Sequence, residues 1–395
     1  MASSNKGFST GSQVMTKRKI KRRTFILGLG GFILASKIKN LYKPSQAANY
    51  ANRDFAVVGN SPLRDRFATK GLLYGAAVSH RSLSSDLPFA NRVAAECAIL
   101  VPESELKWKA LRPTPDRFSF AASDWLVNFA RSQGLLMRGH TLVWHEALPK
   151  WFATKVDSRN AEQLLQQHIA TVVGRYAGKI HSWDVVNEAV HPDDGRTDGL
   201  RQWPWLQFLG PDYIETAFRA AHEADPQAML AYNDHHLEYD TKDQEARRTA
   251  VLKLLERLKS RGTPIHALGI QAHLRGDADR FNAKKLKTFM RDVASLGLKI
   301  MITEMDVTDQ KLPKNIDTRD RIVAGSYEDY LNVALEEPAV IAVLTWGLSD
   351  RYTWLESQKP RKDRAPVRPL PLDAKLKRKL AWNAIARAAD SALKQ

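Results

Sequence analysis

The chain has 395 residues, 44% of them apolar and ten of them Trp, so it can bury a sizeable core and reads as globular. Its formal charge is +17, but residues 1–47 hold ten Lys or Arg and no Asp or Glu, and the rest, 50 basic against 43 acidic, carries only +7. With no basic stripe interleaved with aromatics, nucleic-acid binding is excluded, and the single Cys97 excludes an intramolecular disulfide.

Residues 1–47 have the three parts of an export leader. These are a basic stretch Lys17-Arg-Lys-Ile-Lys-Arg22-Arg23, an apolar stretch from Phe25 to Ala35, and small residues around Ser45-Gln-Ala47. Arg22-Arg23-Thr-Phe-Ile-Leu27 resembles the paired-arginine signal of the Tat route, and the apolar stretch is too short to span a bilayer. The expected destination is periplasmic or extracellular, without stable membrane insertion after export; an uncleaved leader tethering the chain to a membrane is the alternative. Gly28-Leu-Gly-Gly31 lies in the leader ahead of any fold element, so no cofactor role is expected for it. Residues 48–70 read as an N-terminal extension and 71–395 as one large domain.

From residue 72 onward, apolar runs at 72–78, 99–102, 135–144, 180–190, 228–233, 267–274, 299–307 and 340–347 predict eight strands. Helical patterns fall between them near 86–97, 120–133, 158–176, 211–224, 241–260, 282–295 and 317–336, with a last one near 374–393. Ser158 and Asp317 are expected as N-caps. Strands that are apolar throughout belong to a sheet covered on both faces, and eight strand–helix pairs predict a single (β/α)₈ TIM barrel. A doubly wound sheet would want a phosphate-cradling glycine turn after its first strand, and Gly71-Leu-Leu-Tyr-Gly75 lacks that spacing. Cys97 sits among helix-forming and apolar residues and is expected to be a buried, inert thiol. The Pro- and Arg-rich stretch 359–371 reads as an irregular loop before the final helix.

In such a barrel the C-terminal strand ends face the active site. Read in order they offer Glu103 and Lys107, then His140, Trp144 and His145, then Asn187 and Glu188. Asn233 and Asp234 follow, then Gln271 and His273, Glu304 and Asp306, and finally Trp346. Polar groups on buried runs are costly unless they bond to each other or to a ligand. A neutral sugar fits them, with hydroxyls for the amides, imidazoles and acids and a C–H face for the indoles. Glu188 and Glu304 each end an apolar run, which aims two carboxyls at one glycosidic bond. Several histidines could also gather at the mouth, yet none shows zinc-ligand spacing with a Cys or carboxylate, so no metal and no cofactor is expected.

The motifs in chain order are Gly139-His-Thr-Leu-Val-Trp-His145, Trp183-Asp-Val-Val-Asn-Glu188, Tyr232-Asn-Asp234, Gly269-Ile-Gln-Ala-His273, Ile302-Thr-Glu-Met-Asp306 and Trp346-Gly-Leu-Ser-Asp350 with Trp354. On these six the chain resembles the family 10 glycoside hydrolases, the endo-1,4-β-xylanases, from about residue 72 to the final helix. The resemblance implies endo-acting, retaining hydrolysis of xylan or xylo-oligosaccharides, with Glu188 as acid/base and Glu304 as nucleophile; separately, a monomer is expected. It implies that His273, backed by Asp306, supports the nucleophile, and that Lys107, His140, Trp144, Asn187, Gln271, His273, Trp346 and Trp354 contact the sugar. Glu188 is expected to be kept protonated by the nearby charge of Glu304. The chain departs from the family pattern at Ser104, where an Asn is usual, and at Ala147, His235 and His236.

Overall fold

A computed structural model describes residues 50–278 and 282–394. The expected leader with Arg22-Arg23 and the Gly28 cluster lies outside the described residues.

Eight parallel strands close into a barrel: β1 Leu73–Val78, β2 Ile99–Pro102, β3 Leu136–Val143, β4 Ser182–Asn187, β5 Met229–Asp234, β6 Ala267–Ile270, β7 Lys299–Thr308 and β8 Val340–Thr345. Each pairs with the next, and β8 returns to β1 with Ala342 opposite Leu73. Both faces are covered, which explains the unbroken apolar runs. Inside, Ala77, Ile99, Val101, Ala231, Ala267, Met301, Ala342 and Leu344 fill the space around Trp346. Outside run the helices α1 Leu87–Glu96, α2 Ala121–Ser132, α3 Ala161–Arg175, α4 Tyr213–Ala224, α5 Lys242–Ser260, α6 Ala283–Ser295, α7 Ile316–Ala334 and α8 Leu380–Ser391. The small interior side chains leave room for Arg138, which is wholly buried and donates from Nη1 to Ser182 Oγ at 3.0 Å.

The run expected as one strand over 267–274 is broken. A separate three-residue strand, His273–Arg275, follows β6 and pairs with β7 at Asp306. At the break Ala272 adopts φ +59°, rare for a residue with a Cβ, and its N–H donates to the buried carboxyl of Glu238 at 3.1 Å. Two N-caps also differ from expectation. Asn160 precedes α3 and ties the chain back to Asp157 and Lys155, so the helix begins beyond Ser158. Asn315 caps α7 by accepting from the Thr318 N–H at 2.8 Å, which leaves Asp317 in the first turn, where its charge suits the helix dipole.

The segment ahead of the barrel packs onto it. Tyr50 Oη donates to Asp329 Oδ2 at 2.8 Å, and Leu63 and Phe67 are fully buried. Glu96, at the end of α1, accepts from the Leu63 N–H and from Trp382 Nε1, both at 3.0 Å, and pairs with Arg378 at 3.0 Å. One buried carboxylate therefore joins the leading segment to α8. The stretch 359–371 forms no helix or strand and is fastened by Arg361 to the Leu312 carbonyl and by Arg368 to Asp320. Cys97 is buried, and burial pushes its thiol well above the ordinary range.

Candidate active site

Glu304 sits within β7, and Glu188 directly follows β4. Glu188 Oε1 accepts from Asn187 Nδ2 at 3.1 Å and from Gln271 Nε2 at 2.9 Å. Asn233, on β5, donates from Nδ2 to Asn187 Oδ1 and to Glu304 Oε1, each at 2.8 Å. Two amides thus join the two carboxyls in one hydrogen-bonded chain. The orientation of Asn233 is fixed from below, because its Oδ1 accepts from Thr303 Oγ1 at 2.7 Å and its NH₂ must then face the acids. Gly269 makes this possible: a Cβ there would stand 2.1 Å from Asn233 Oδ1.

The Glu304 carboxyl is buried among partners that favour its anion. His273 places Nε2 3.3 Å from Glu304 Oε2 and Nδ1 3.0 Å from Asp306 Oδ1, and Asp306 Oδ2 accepts from Trp354 Nε1 at 2.8 Å. Burial alone would discharge the imidazole, but Asp306 and Glu304 outweigh it, and His273 holds its proton well above the usual histidine range. For Glu304 burial pushes upward; the hydrogen bond from His273 and the fields of His140 and His273 outweigh it against the opposing charge of Glu188, so the carboxyl lies below its ordinary range. His140 Nδ1 lies 2.9 Å from Asp184 Oδ2 and 4.0 Å from Glu304 Oε1. Asp184 pairs in turn with Arg138 in the barrel interior. Sequence reasoning missed Arg138 as part of this site; its signal is a guanidinium in an otherwise apolar run, where a buried charge requires a partner.

Glu188 departs from expectation in its electrostatics. Burial is again the largest influence and pushes upward, but the Gln271 hydrogen bond, the Trp144 indole N–H and the charges of His145 and Arg201 outweigh it, so the carboxyl lies below its ordinary range. Trp144 Nε1, though it favours the anion, makes no hydrogen bond among the described residues.

The other side chains singled out in the sequence gather here. Lys107 Nζ stands 4.6 Å from the Trp144 ring centroid and 5.7 Å from that of Trp346, and burial lowers its pKa against the pull of Glu304, Glu103 and Glu188. Trp346 packs on His140 at 5.3 Å and on His273 at 6.4 Å, and Trp354 lies 5.3 Å from His273. Of the departures, Ser104 is exposed, Ala147 is buried with its carbonyl accepting from the Lys109 N–H, and His235 and His236 stack at 4.2 Å.

A parallel barrel with two buried, hydrogen-bonded carboxyls at the strand ends, flanked by indoles and amides, defines a glycoside hydrolase. The sequence model of glycosyl hydrolase family 10 matches residues 62–388. The chain belongs to that family. It is 37% identical over 292 residues to a β-1,4-xylanase of Dictyoglomus thermophilum, covering 71% of this chain and 78% of that one. It is 36% identical over 304 residues to endo-1,4-β-xylanase A of a Caldicellulosiruptor species, covering 72% of this chain but only 43% of that longer protein. Xylanase 10B of Thermotoga petrophila, solved in complex with xylobiose, superposes with a TM-score of 0.76 at 31% identity, covering 85% of this chain and 99% of that one.

Proposed function

We propose that this chain is an endo-1,4-β-xylanase that cleaves xylan by double displacement with retention of configuration. In the first step Glu304, ionised, attacks the anomeric carbon while Glu188 gives its proton to the departing glycosidic oxygen, whose bond to that carbon breaks. In the second step water attacks the same carbon from the leaving-group side, Glu188 takes the water proton, and the bond to Glu304 breaks. Such a sequence asks for carboxyls roughly 5–5.5 Å apart, with no room for water between them. The single observation that carries the reading is the Asn187–Asn233 amide pair, which links the two acids in one hydrogen-bonded chain.

Glu188 must hold a proton when the bond breaks. Its protein donors favour the anion, and sugar hydroxyls that compete for the Gln271 amide, with exclusion of water by the sugar ring, raise its affinity for that proton. Lys107, His140, Asn187 and Gln271 contact the sugar on the cleaved side, with Trp346 and Trp354 as its wall and Trp144 beside Lys107. The chain acts as a monomer, exported by its paired-arginine leader to the periplasm or cell exterior; a tether formed by an uncleaved leader is the alternative.

Time-resolved NMR of products from xylan tests the proposal. Oligosaccharides of mixed length with the β-anomer appearing first are expected. An α-anomer appearing first would overturn the assigned roles, and release of xylose alone would overturn endo action. Parallel kinetics on aryl xylobioside and aryl cellobioside should favour the former.

A further inference from the structure

Glu188 leaves β4 with φ +57°, a left-handed conformation that strains any residue bearing a Cβ. Two bonds to its own main chain hold it there. Its N–H donates to the Asn233 carbonyl at 2.9 Å, and its carbonyl accepts from Arg201 Nε at 2.9 Å. The first bond belongs to the barrel. The second comes from a loop that returns to its own start: the His191 N–H donates to the Gly199 carbonyl, Val190 bridges Leu200, and the Arg201 N–H donates to the Ala189 carbonyl at 2.8 Å. Asp194, inside the loop, lies 3.0 Å from His191 Nδ1 and accepts from the Gln202 N–H at 2.6 Å. Two residues beyond Arg201, Trp203 meets the ring of His145 edge-on at 6.1 Å, and His145 Nδ1 lies 4.0 Å from Glu188 Oε2.

We propose that Arg201 is a positioning residue for the acid/base: by gripping the Glu188 carbonyl it fixes the left-handed turn that directs the carboxyl, and by its charge it sets how readily that carboxyl parts with a proton. The inference rests on the reading of Glu188 as acid/base. A loop staple with no bearing on chemistry could have used any hydrogen-bond donor, whereas this one brings a fixed cation to the one residue whose proton must be exchanged twice per turnover. Other charged or titratable groups around Glu188 include Lys107 after β2, His145 after β3, Asp234 at the end of β5 with His236 just beyond it, and Glu304 on β7, while Arg247 on α5 acts on Asp234 and His236. Arg247 is engaged with the Val190 carbonyl and Asp234, so Arg201 is the cation bound directly to Glu188.

The test compares Arg201→Met and Arg201→Lys in the full chain, with active-site titration by a 2-fluoro aryl xylobioside to count competent sites. Per competent site, Arg201→Met should lose about tenfold or more in kcat/KM on xylo-oligosaccharides, which need a proton at the leaving oxygen, and about twofold or less on a dinitrophenyl xylobioside, which does not. The alkaline limb of its kcat/KM profile should move up by roughly half a pH unit or more, because a cation that favours the Glu188 anion has gone. Arg201→Lys should return the limb toward that of the parent protein. Equal losses on both substrates with an unmoved limb would overturn the proposal and leave Arg201 a loop staple. Glu188→Ala run alongside separates the two claims: if azide fails to rescue it, the acid/base reading fails first, whatever Arg201 does.

Discussion

Replacing Gly269 with Ala should damage the chemistry as well as the fold. The new methyl would lie 2.1 Å from Asn233 Oδ1 and 3.0 Å from Thr303 Cγ2, so something must move. The Asn233 amide has nowhere neutral to go, since it is held at once by Thr303, Asn187 and Glu304. Overpacking of this kind costs about 1–3 kcal/mol of stability, read as a lowered Tm. Losing a hydrogen bond to a charged group costs about 1.5–3 kcal/mol, and if Glu304 needs that bond at the transition state, kcat/KM falls about 10- to 150-fold. The assay is steady-state kinetics on a dinitrophenyl xylobioside, which isolates attack by the nucleophile from proton donation. Asn233→Ser should lose a similar amount, and the double variant should lose little more than either single one, because both changes break one bond. Additive losses, or a lowered Tm with kcat/KM intact, would refute the reasoning.

Three further outcomes are expected. Glu188→Ala should keep the first step on good leaving groups, stall on natural linkages, and recover with azide to give a β-xylosyl azide; an α-azide would contradict the roles of the two acids. Glu238 is buried, and burial, opposed by backbone N–H groups, pushes its carboxyl from 4.5 to about 7. A raised folded-state pKa means that its stabilising share is full below about pH 4.5 and is lost as pH rises through about 7, up to about 3 kcal/mol. Denaturant unfolding at pH 5 and pH 8 should show that loss, and Glu238→Gln should flatten it. Cys97 should resist a chromogenic disulfide reagent in the native protein and react on unfolding; rapid native labelling would contradict its burial.

Much of the barrel was legible because its strands are covered on both faces, which prints unbroken apolar runs into the sequence, with helical patterns spaced between them. The break at Ala272 was not legible, since nothing about an alanine signals a positive φ; the carboxyl that holds it, Glu238, belongs to the loop after β5. Asp317 looked like a cap by residue type, yet Asn315, two positions earlier, had the geometry. The polar residues of the candidate site could be read from strand ends, but the electrostatics of Glu188 could not. They depend on the Gln271 amide, the Trp144 indole and the charges of His145 and Arg201, whose closeness to that carboxyl is a property of the closed barrel. Arg138 shows the same limit, because the partner that makes it tolerable, Asp184, sits on the neighbouring strand.

The clasp at Glu96 bears on how the molecule comes apart. Three donors from opposite extremities of the described polypeptide converge on a single buried anion, which Arg92 also faces at 3.5 Å, so departure of either extremity strips away part of that charge's compensation. Fraying of the closing helix and release of the opening segment are thereby coupled, and a fusion partner pulling on either side would strain the same knot.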